Sequence, residues 1–401
     1  MGWMQGSPPP LDKRIRFEDD RALGFPQNRW SLSHFRELMP TVNVWRGAGP
    51  ARDLGVVDES LAAQIDRLSF KDMQGQTRVW ADTLPDTYTD GLIVLHKGRR
   101  VYERYAGALQ AHGSHACFSM TKSCAATLAA TLVHEGALDE TRLVAHYLPE
   151  LLSTAYADAT LRQVMDMQIG VAYSELYSDP KAQIWDHARA GGMRARAAGY
   201  TGPSNFYEFL QTLQKEGEHG QAFAYKTVNT DVLCWVMKRV TGQDMAAAFS
   251  DRIWQHLGCE EDACVTVDSI GVPFGGGGLC TSLRDLARLG EMMRCEGAVG
   301  AKQVIPAAVV ADTAKGEDPA KFAKAGYHLL AGFSYRNMWW NTHNDLGAYE
   351  ARGIHGQRLY IAPKADMVIA RFGSHPIAAS ASNDPIVLPA FAALGQMLMR
   401  A

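Results

Sequence analysis

The strand-like runs of this 401-residue chain lie towards its two ends, and helical patterning fills the stretch between them. Gly91-Leu92-Ile93-Val94-Leu95-His96 and Val101-Tyr102-Glu103-Arg104-Tyr105-Ala106-Gly107 flank Lys97-Gly98-Arg99-Arg100, the pattern of a β-hairpin. After about residue 325 the composition turns to β again, in Trp339-Trp340 and in residues 358–362 and 367–372. Between them, helices are expected over residues 206–213, over 232–240 closed by Gly242, over 245–257 capped by Asp244, and over 282–295 capped by Thr281 or Ser282. Residues 30–39, stopped by Pro40, and the apolar tail 385–400 also read as helices. A sheet assembled from both chain ends around a helical insertion is an α+β layout with two lobes. The expected division is residues 1–140 and 291–401 for an α/β lobe holding an antiparallel sheet flanked by helices, and 141–290 for a mainly helical lobe. Residues 1–28, rich in Pro, Gly and charge, read as an extended arm. A cleft between two such lobes is a common place for a small-molecule site.

Within this layout Ser119-Met120-Thr121-Lys122 opens a helix that runs through an apolar stretch to Gly136. Residues three apart share a helix face, so Ser119 and Lys122 sit side by side at a helix N-terminus. A hydroxyl beside an amine is the minimum for an activated nucleophile. The same pattern also describes a capping serine with a solvated lysine one turn on.

Charge and cysteine usage narrow the partners. The net charge is −3 with Lys and Arg dispersed, which points to neither nucleic acid nor anionic lipid. The seven cysteines are scattered without a C-x-x-C and read as reduced thiols of a cytoplasmic protein. No apolar h-region opens the chain and no window is long enough to span a membrane. His112, His115 and Cys117 lie close together, but no second ligand cluster accompanies them, so no metal and no cofactor is expected.

Further chemistry is carried by two other segments. Tyr225, in Phe223-Ala224-Tyr225-Lys226-Thr227, sits where a helix begins and could bring a phenol to the cleft, or simply pack. Arg352-Gly353-Ile354-His355-Gly356-Gln357 begins a strand, where glycine marks either a turn or the close approach of a backbone or ligand. Gly275-Gly276-Gly277-Gly278 is followed by no Lys-Ser/Thr and does not read as a phosphate loop.

Taken in order, these pieces resemble the serine β-lactamase and penicillin-recognising enzymes, above all the class C branch and its family VIII esterase relatives. The likeness runs from about Leu92 to Phe372. Ser119-Met120-Thr121-Lys122 matches the first motif, Tyr225-Lys226-Thr227 stands in place of Tyr-x-Asn, and Ala351-Arg352-Gly353 in place of Lys-Thr-Gly. The phrases Asn28-Arg29-Trp30, Asp166-Met167-Gln168-Ile169, Asn229-Thr230-Asp231-Val232-Leu233 and Gly353-Ile354-His355-Gly356-Gln357 resemble the branch of 6-aminohexanoate-dimer (nylon-oligomer) hydrolases.

The resemblance implies a β-lactamase/transpeptidase-like fold and a serine hydrolase acting on amides or esters through an acyl-enzyme. It assigns Ser119 as nucleophile, Lys122 as base, Tyr225 as proton relay, and the backbone N–H groups of Ser119 and Ile354 as oxyanion hole. Tyr177 is expected to reach the substrate amide from a loop, with Gly353, His355, His187 and Trp185 as further substrate-binding positions. Linear 6-aminohexanoate-type amides and short-chain carboxylesters are the expected substrates, and the branch allows a homodimer. Two departures bear on this: Ala351 removes the cation that meets a penicillin carboxylate, and Thr227 replaces the motif's Asn. A β-lactamase or D-amino-acid peptidase, and a non-catalytic acyl-binding module, are the alternative readings.

Overall fold

The computed structural model describes residues 2–17 and 21–400; residues 1 and 18–20 of the expected N-terminal arm, and residue 401, lie outside the described residues. Two antiparallel sheets position the site. Their strands are β1 (Thr41–Val44), β2 (Thr89–His96), β3 (Arg99–Tyr105), β4 (Ser114–Ala116), β5 (Ala263–Thr266), β6 (Leu279–Ser282), β7 (Ser334–Arg336), β8 (Trp339–Asn341), β9 (Tyr349–Gly353), β10 (Gln357–Ala362) and β11 (Met367–Gly373). The larger sheet has seven strands in the order β7-β8-β9-β10-β11-β2-β3. The expected hairpin is β2–β3, and its turn uses Lys97 and Gly98 at φ 51° and 76°.

The two chain ends meet where β2 pairs with β11, with Ile93 opposite Ala370 and Leu95 opposite Val368. Side chains alternate across a strand, so β2 feeds two cores. Ile93 and Leu95 join one, with Leu286 and Leu289 of the helix Leu283–Arg294. Leu92 and Val94 join the other, with Phe391 and Leu394 of the C-terminal helix Asp384–Leu398. A strand covered on both faces has no polar side to show, which is why this segment reads as an unbroken apolar run.

Five helices matter for the site: α1 (Met120–His134), α2 (Gln183–Ala190), α3 (Val228–Thr241), α4 (Leu283–Arg294) and α5 (Asp384–Leu398). α1 is buried on every side from Met120 to Leu132, as expected for a helix apolar all round. Its polar side chains are satisfied internally: Ser123 Oγ donates to the Met338 carbonyl at 2.6 Å, and Thr127 Oγ1 accepts the Trp339 indole N–H at 3.0 Å. Gly136, at φ 77°, follows its C-terminus. The expected caps are present at Asp244 and Ser282, and Gly242 closes α3 in the left-handed region.

Elsewhere the structure differs from expectation. The stretch expected to be mainly helical up to residue 290 also contains β5 and β6, which complete a second, four-stranded sheet in the order β1-β5-β6-β4. Residues 30–39 form two short helices, Asn28–Ser31 and Phe35–Leu38. The Leu32 carbonyl between them accepts the Ala116 N–H at 2.8 Å, so it is not available to continue a helix. The helix expected over 245–257 stops at Arg252, and the one over 206–213 stops at Leu210. Among the described residues no helix is long and apolar enough to cross a membrane, and the seven cysteines are free.

Candidate active site

β4 delivers the chain to Cys117 and Phe118, and α1 begins one residue after Ser119. Phe118 adopts φ 45°, a strained conformation for an aromatic residue, and this bend sets Ser119 at the junction of strand and helix. Ser119 is half-buried and lines a cavity of about 450 Å³. One turn on, Lys122 is 1% exposed. Its Nζ lies 2.7 Å from Ser119 Oγ and 2.6 Å from the Gly276 carbonyl oxygen. Burial lowers the lysine to about 8, opposed by the charges of Glu175 and Asp231.

Tyr225 precedes α3, and its ring centroid is 5.0 Å from Lys122 Nζ. Burial pushes its phenol well above the ordinary value, while a hydrogen bond with Ser119 pulls it down. Ser119, Lys122 and Tyr225 thus meet at one corner of the cavity. The four glycines before β6 make this possible. A Cβ on Gly275 would lie 2.4 Å from Cys234 Sγ, and one on Gly276 2.4 Å from Thr227 Cγ2.

On the opposite side, the end of β9 passes close to Ser119. A Cβ on Gly353 would lie 2.5 Å from the Cys117 carbonyl, so only glycine lets this strand approach. Gly353 and Ile354 line the cavity with Ser119. Among the described residues, neither the Ser119 nor the Ile354 amide has a hydrogen-bond acceptor, which leaves two N–H groups free beside the hydroxyl. The Ile354 carbonyl is tied by Gln357 Nε2 at 2.9 Å, and Arg371 Nη1 donates to the Gly356 carbonyl, so the turn is fixed from behind.

Of the other expected positions, Tyr177 and Gly353 line the cavity and His355, His187 and Trp185 do not. Trp185 packs edge-on against Tyr177 at 5.9 Å, behind the wall. His355, at φ 62°, turns its Nδ1 to the His375 carbonyl at 2.7 Å, and burial lowers its basicity. His187 is fully buried on the inner face of α2, with its Nε2 2.9 Å from Asp231 Oδ2.

Several cavity residues are unmarked in the sequence. Glu175 accepts the Thr227 N–H, while Tyr327 and Trp340 supply aromatic wall. Arg352 lies over Trp340 at 5.0 Å and is ion-paired to Glu350 and Asp384, which Arg358 also engages. Ala351 is buried in the core.

Comparison with known proteins agrees with this architecture. A family profile described as Beta-lactamase matches residues 80–384. The 6-aminohexanoate-dimer hydrolase of Paenarthrobacter ureafaciens is 35% identical over 354 residues, covering 88% of this chain and 86% of that protein. A solved structure from Bacillus anthracis, provisionally named 6-aminohexanoate-dimer hydrolase, superposes with a TM-score of 0.85 at 28% identity, over 98% of this chain and 99% of the other. A D-stereospecific amidohydrolase from a Streptomyces species shares the fold at a TM-score of 0.58 and 15% identity, over 83% of this chain and 98% of that one. The Beta-lactamase profile spans every residue that lines the cavity, from Ser119 to Asp384, and with the 35%-identical relative it shows that the chain belongs to the beta-lactamase family of hydrolases.

Proposed function

We propose that this protein is a serine hydrolase that cleaves amide or ester bonds through a seryl acyl-enzyme, with linear 6-aminohexanoate-type amides and short-chain carboxylesters as substrates. The observation that carries the reading is a buried amine, lowered to about 8, held 2.7 Å from a hydroxyl at the cavity wall. Lys122 in its neutral form takes the Ser119 proton, and Oγ attacks the substrate carbonyl carbon. The oxyanion forms against the Ser119 and Ile354 N–H groups, which are already in place and need no reorganisation. Tyr225 passes a proton to the departing nitrogen or oxygen, and Tyr177 faces the same leaving group from the cavity wall. The acyl-enzyme collapses when water attacks along the same route.

Two features favour linear amides and esters over penicillins. Ala351 offers no cation, and the Arg352 guanidinium that lines the cavity is committed to Glu350 and Asp384. The aromatic wall of Tyr177, Tyr327 and Trp340 suits an extended methylene chain.

A substrate panel tests this: p-nitrophenyl esters of rising chain length, 6-aminohexanoate dimer and nitrocefin, each with native and Ser119→Ala protein. Turnover of the dimer and short esters by native protein only is the expected result. Nitrocefin outrunning both would move the assignment to a β-lactamase. No turnover and no labelling by a fluorophosphonate would make the protein an acyl-binding module. In the same assays Tyr225→Phe is expected to lose amide cleavage by about tenfold or more beyond its loss of ester cleavage, because an amine leaving group depends more on protonation. Equal losses would leave Tyr225 with a positioning role alone.

A further inference from the structure

Behind Lys122 lies a second pair of titratable groups that does not reach the cavity. Asp231, on the first turn of α3, is 4% exposed, and His187 of α2 is fully buried. Their Oδ2 and Nε2 are 2.9 Å apart. On its other side His187 Nδ1 meets the Tyr173 hydroxyl at 3.1 Å, and the rings of Phe206, Phe209 and Phe274 close round the imidazole at 5.2, 5.1 and 5.6 Å. The Nε2–Oδ2 contact lacks hydrogen-bond geometry, so the Tyr173 hydroxyl is the hydrogen-bond partner of the imidazole and Asp231 Oδ2 lies against its far nitrogen. Imidazole and carboxylate thus sit against each other inside an apolar cage.

The remaining oxygen of Asp231 is aimed at the catalytic corner. Oδ1 accepts the Gly276 N–H at 3.1 Å, and the carbonyl of the same residue accepts Lys122 Nζ at 2.6 Å. Hydrogen bonds therefore connect Asp231 through Gly276 and Lys122 to Ser119, and His187 packs against the other oxygen of Asp231. A buried carboxylate is costly and is retained where its charge or its geometry is used.

We propose that Asp231, packed against His187, is a positioning residue for the general base: it fixes Gly276 so that the carbonyl orients the Lys122 amine at Ser119, and its carboxylate is one of two that face that amine. The proposal rests on Lys122 being the base. The groups that face the Lys122 amine are Ser119 at the start of its own helix, Tyr225 before α3, Asp231 on α3 and Glu175 in the loop before α2. The Gly275–Gly278 turn brings no titratable side chain. Glu175 stays in place in the variants below, so a change in the pH profile isolates Asp231.

The test is the pH dependence of kcat/KM on a p-nitrophenyl ester for native, Asp231→Asn and His187→Ala protein. Rates are normalised to the fraction of molecules labelled at end point by a fluorophosphonate, so that unfolded protein is not counted. Native protein is expected to show a rising limb as Lys122 loses its proton. Removing the Asp231 charge makes the protonated amine less favourable, so in Asp231→Asn the limb moves to lower pH by about half to one unit, with a plateau lowered about tenfold. In His187→Ala the expected result is a kcat per labelled site lowered about tenfold with KM unchanged. A limb that stays in place in Asp231→Asn overturns the proposal and leaves Lys122 as base. If that variant yields no folded protein, an unchanged kcat per labelled site in His187→Ala overturns it instead. Absence of any limb in native protein overturns the assignment of Lys122, and the proposal with it.

Discussion

Replacing Ser119 by Ala is expected to lower kcat/KM for esters and amides by at least about 10⁴-fold and to abolish fluorophosphonate labelling. In the proposed mechanism Ser119 Oγ is the atom that becomes covalently bound, and among the described residues it is the hydroxyl paired with the Lys122 amine. His355 is turned away to the His375 carbonyl, and the seven thiols are separate from the cavity wall. Folding should hardly change, because Ser119 caps no backbone N–H with its side chain. Circular dichroism melts alongside single-turnover assays check both halves. A variant retaining activity within about tenfold would refute the seryl mechanism.

Lys122→Met has the second largest expected effect, and here activity and stability should move in opposite directions. Loss of the proposed base should lower kcat/KM by about 10³-fold or more. The native lysine, however, is a buried cation. Burial drops it from 10.5 to about 8, which corresponds to about 3 kcal/mol of destabilisation while both folded and unfolded states are protonated. Between about 8 and 10.5 the unfolded chain binds the proton and the folded one does not, so native stability rises with pH across that window. Methionine fills similar volume without charge. Denaturant unfolding should therefore show the variant more stable at neutral pH, with the gap closing towards pH 10.5. A parallel pH dependence in the two proteins would show that the amine is solvated.

Local spacing made part of this site legible and long-range closure hid the rest. Ser119 and Lys122 are three apart on one helix, so their adjacency follows from helix geometry alone. Tyr225 is recognisable only from the order of motifs. Trp340 comes from β8, Arg352 from β9 and Asp384 from the start of α5, and these meet only once the seven-stranded sheet is closed. No local pattern marks Trp340 or Asp384 as cavity residues, and Arg352 stands inside the third-motif segment with nothing local to show that it reaches the cavity. His187 carried a signal that was usable: Ile184, His187 and Ala190 share the buried face of α2, so the imidazole points inward rather than to the cavity. The strands β5 and β6 were hidden for a different reason. Each is four residues long and buried at every position, and so short an apolar run has no period to separate strand from helix.

The pairing of β2 with β11 has a consequence for biosynthesis. Ile93 lies opposite Ala370, so the hairpin emerges from the ribosome 277 residues (370 − 93) before the strand that completes its sheet. Until then one edge of β2 lacks its ladder, and α1, apolar on all sides, has no finished floor to rest on. The Ile354 turn arrives just as late. Nascent chains are thus exposed to misassembly over that whole interval, and completion of the sheet waits on β11. A ribosome stalled before residue 367 would hold the Ser119 segment already made, inside a protein that has not yet acquired its native sheet.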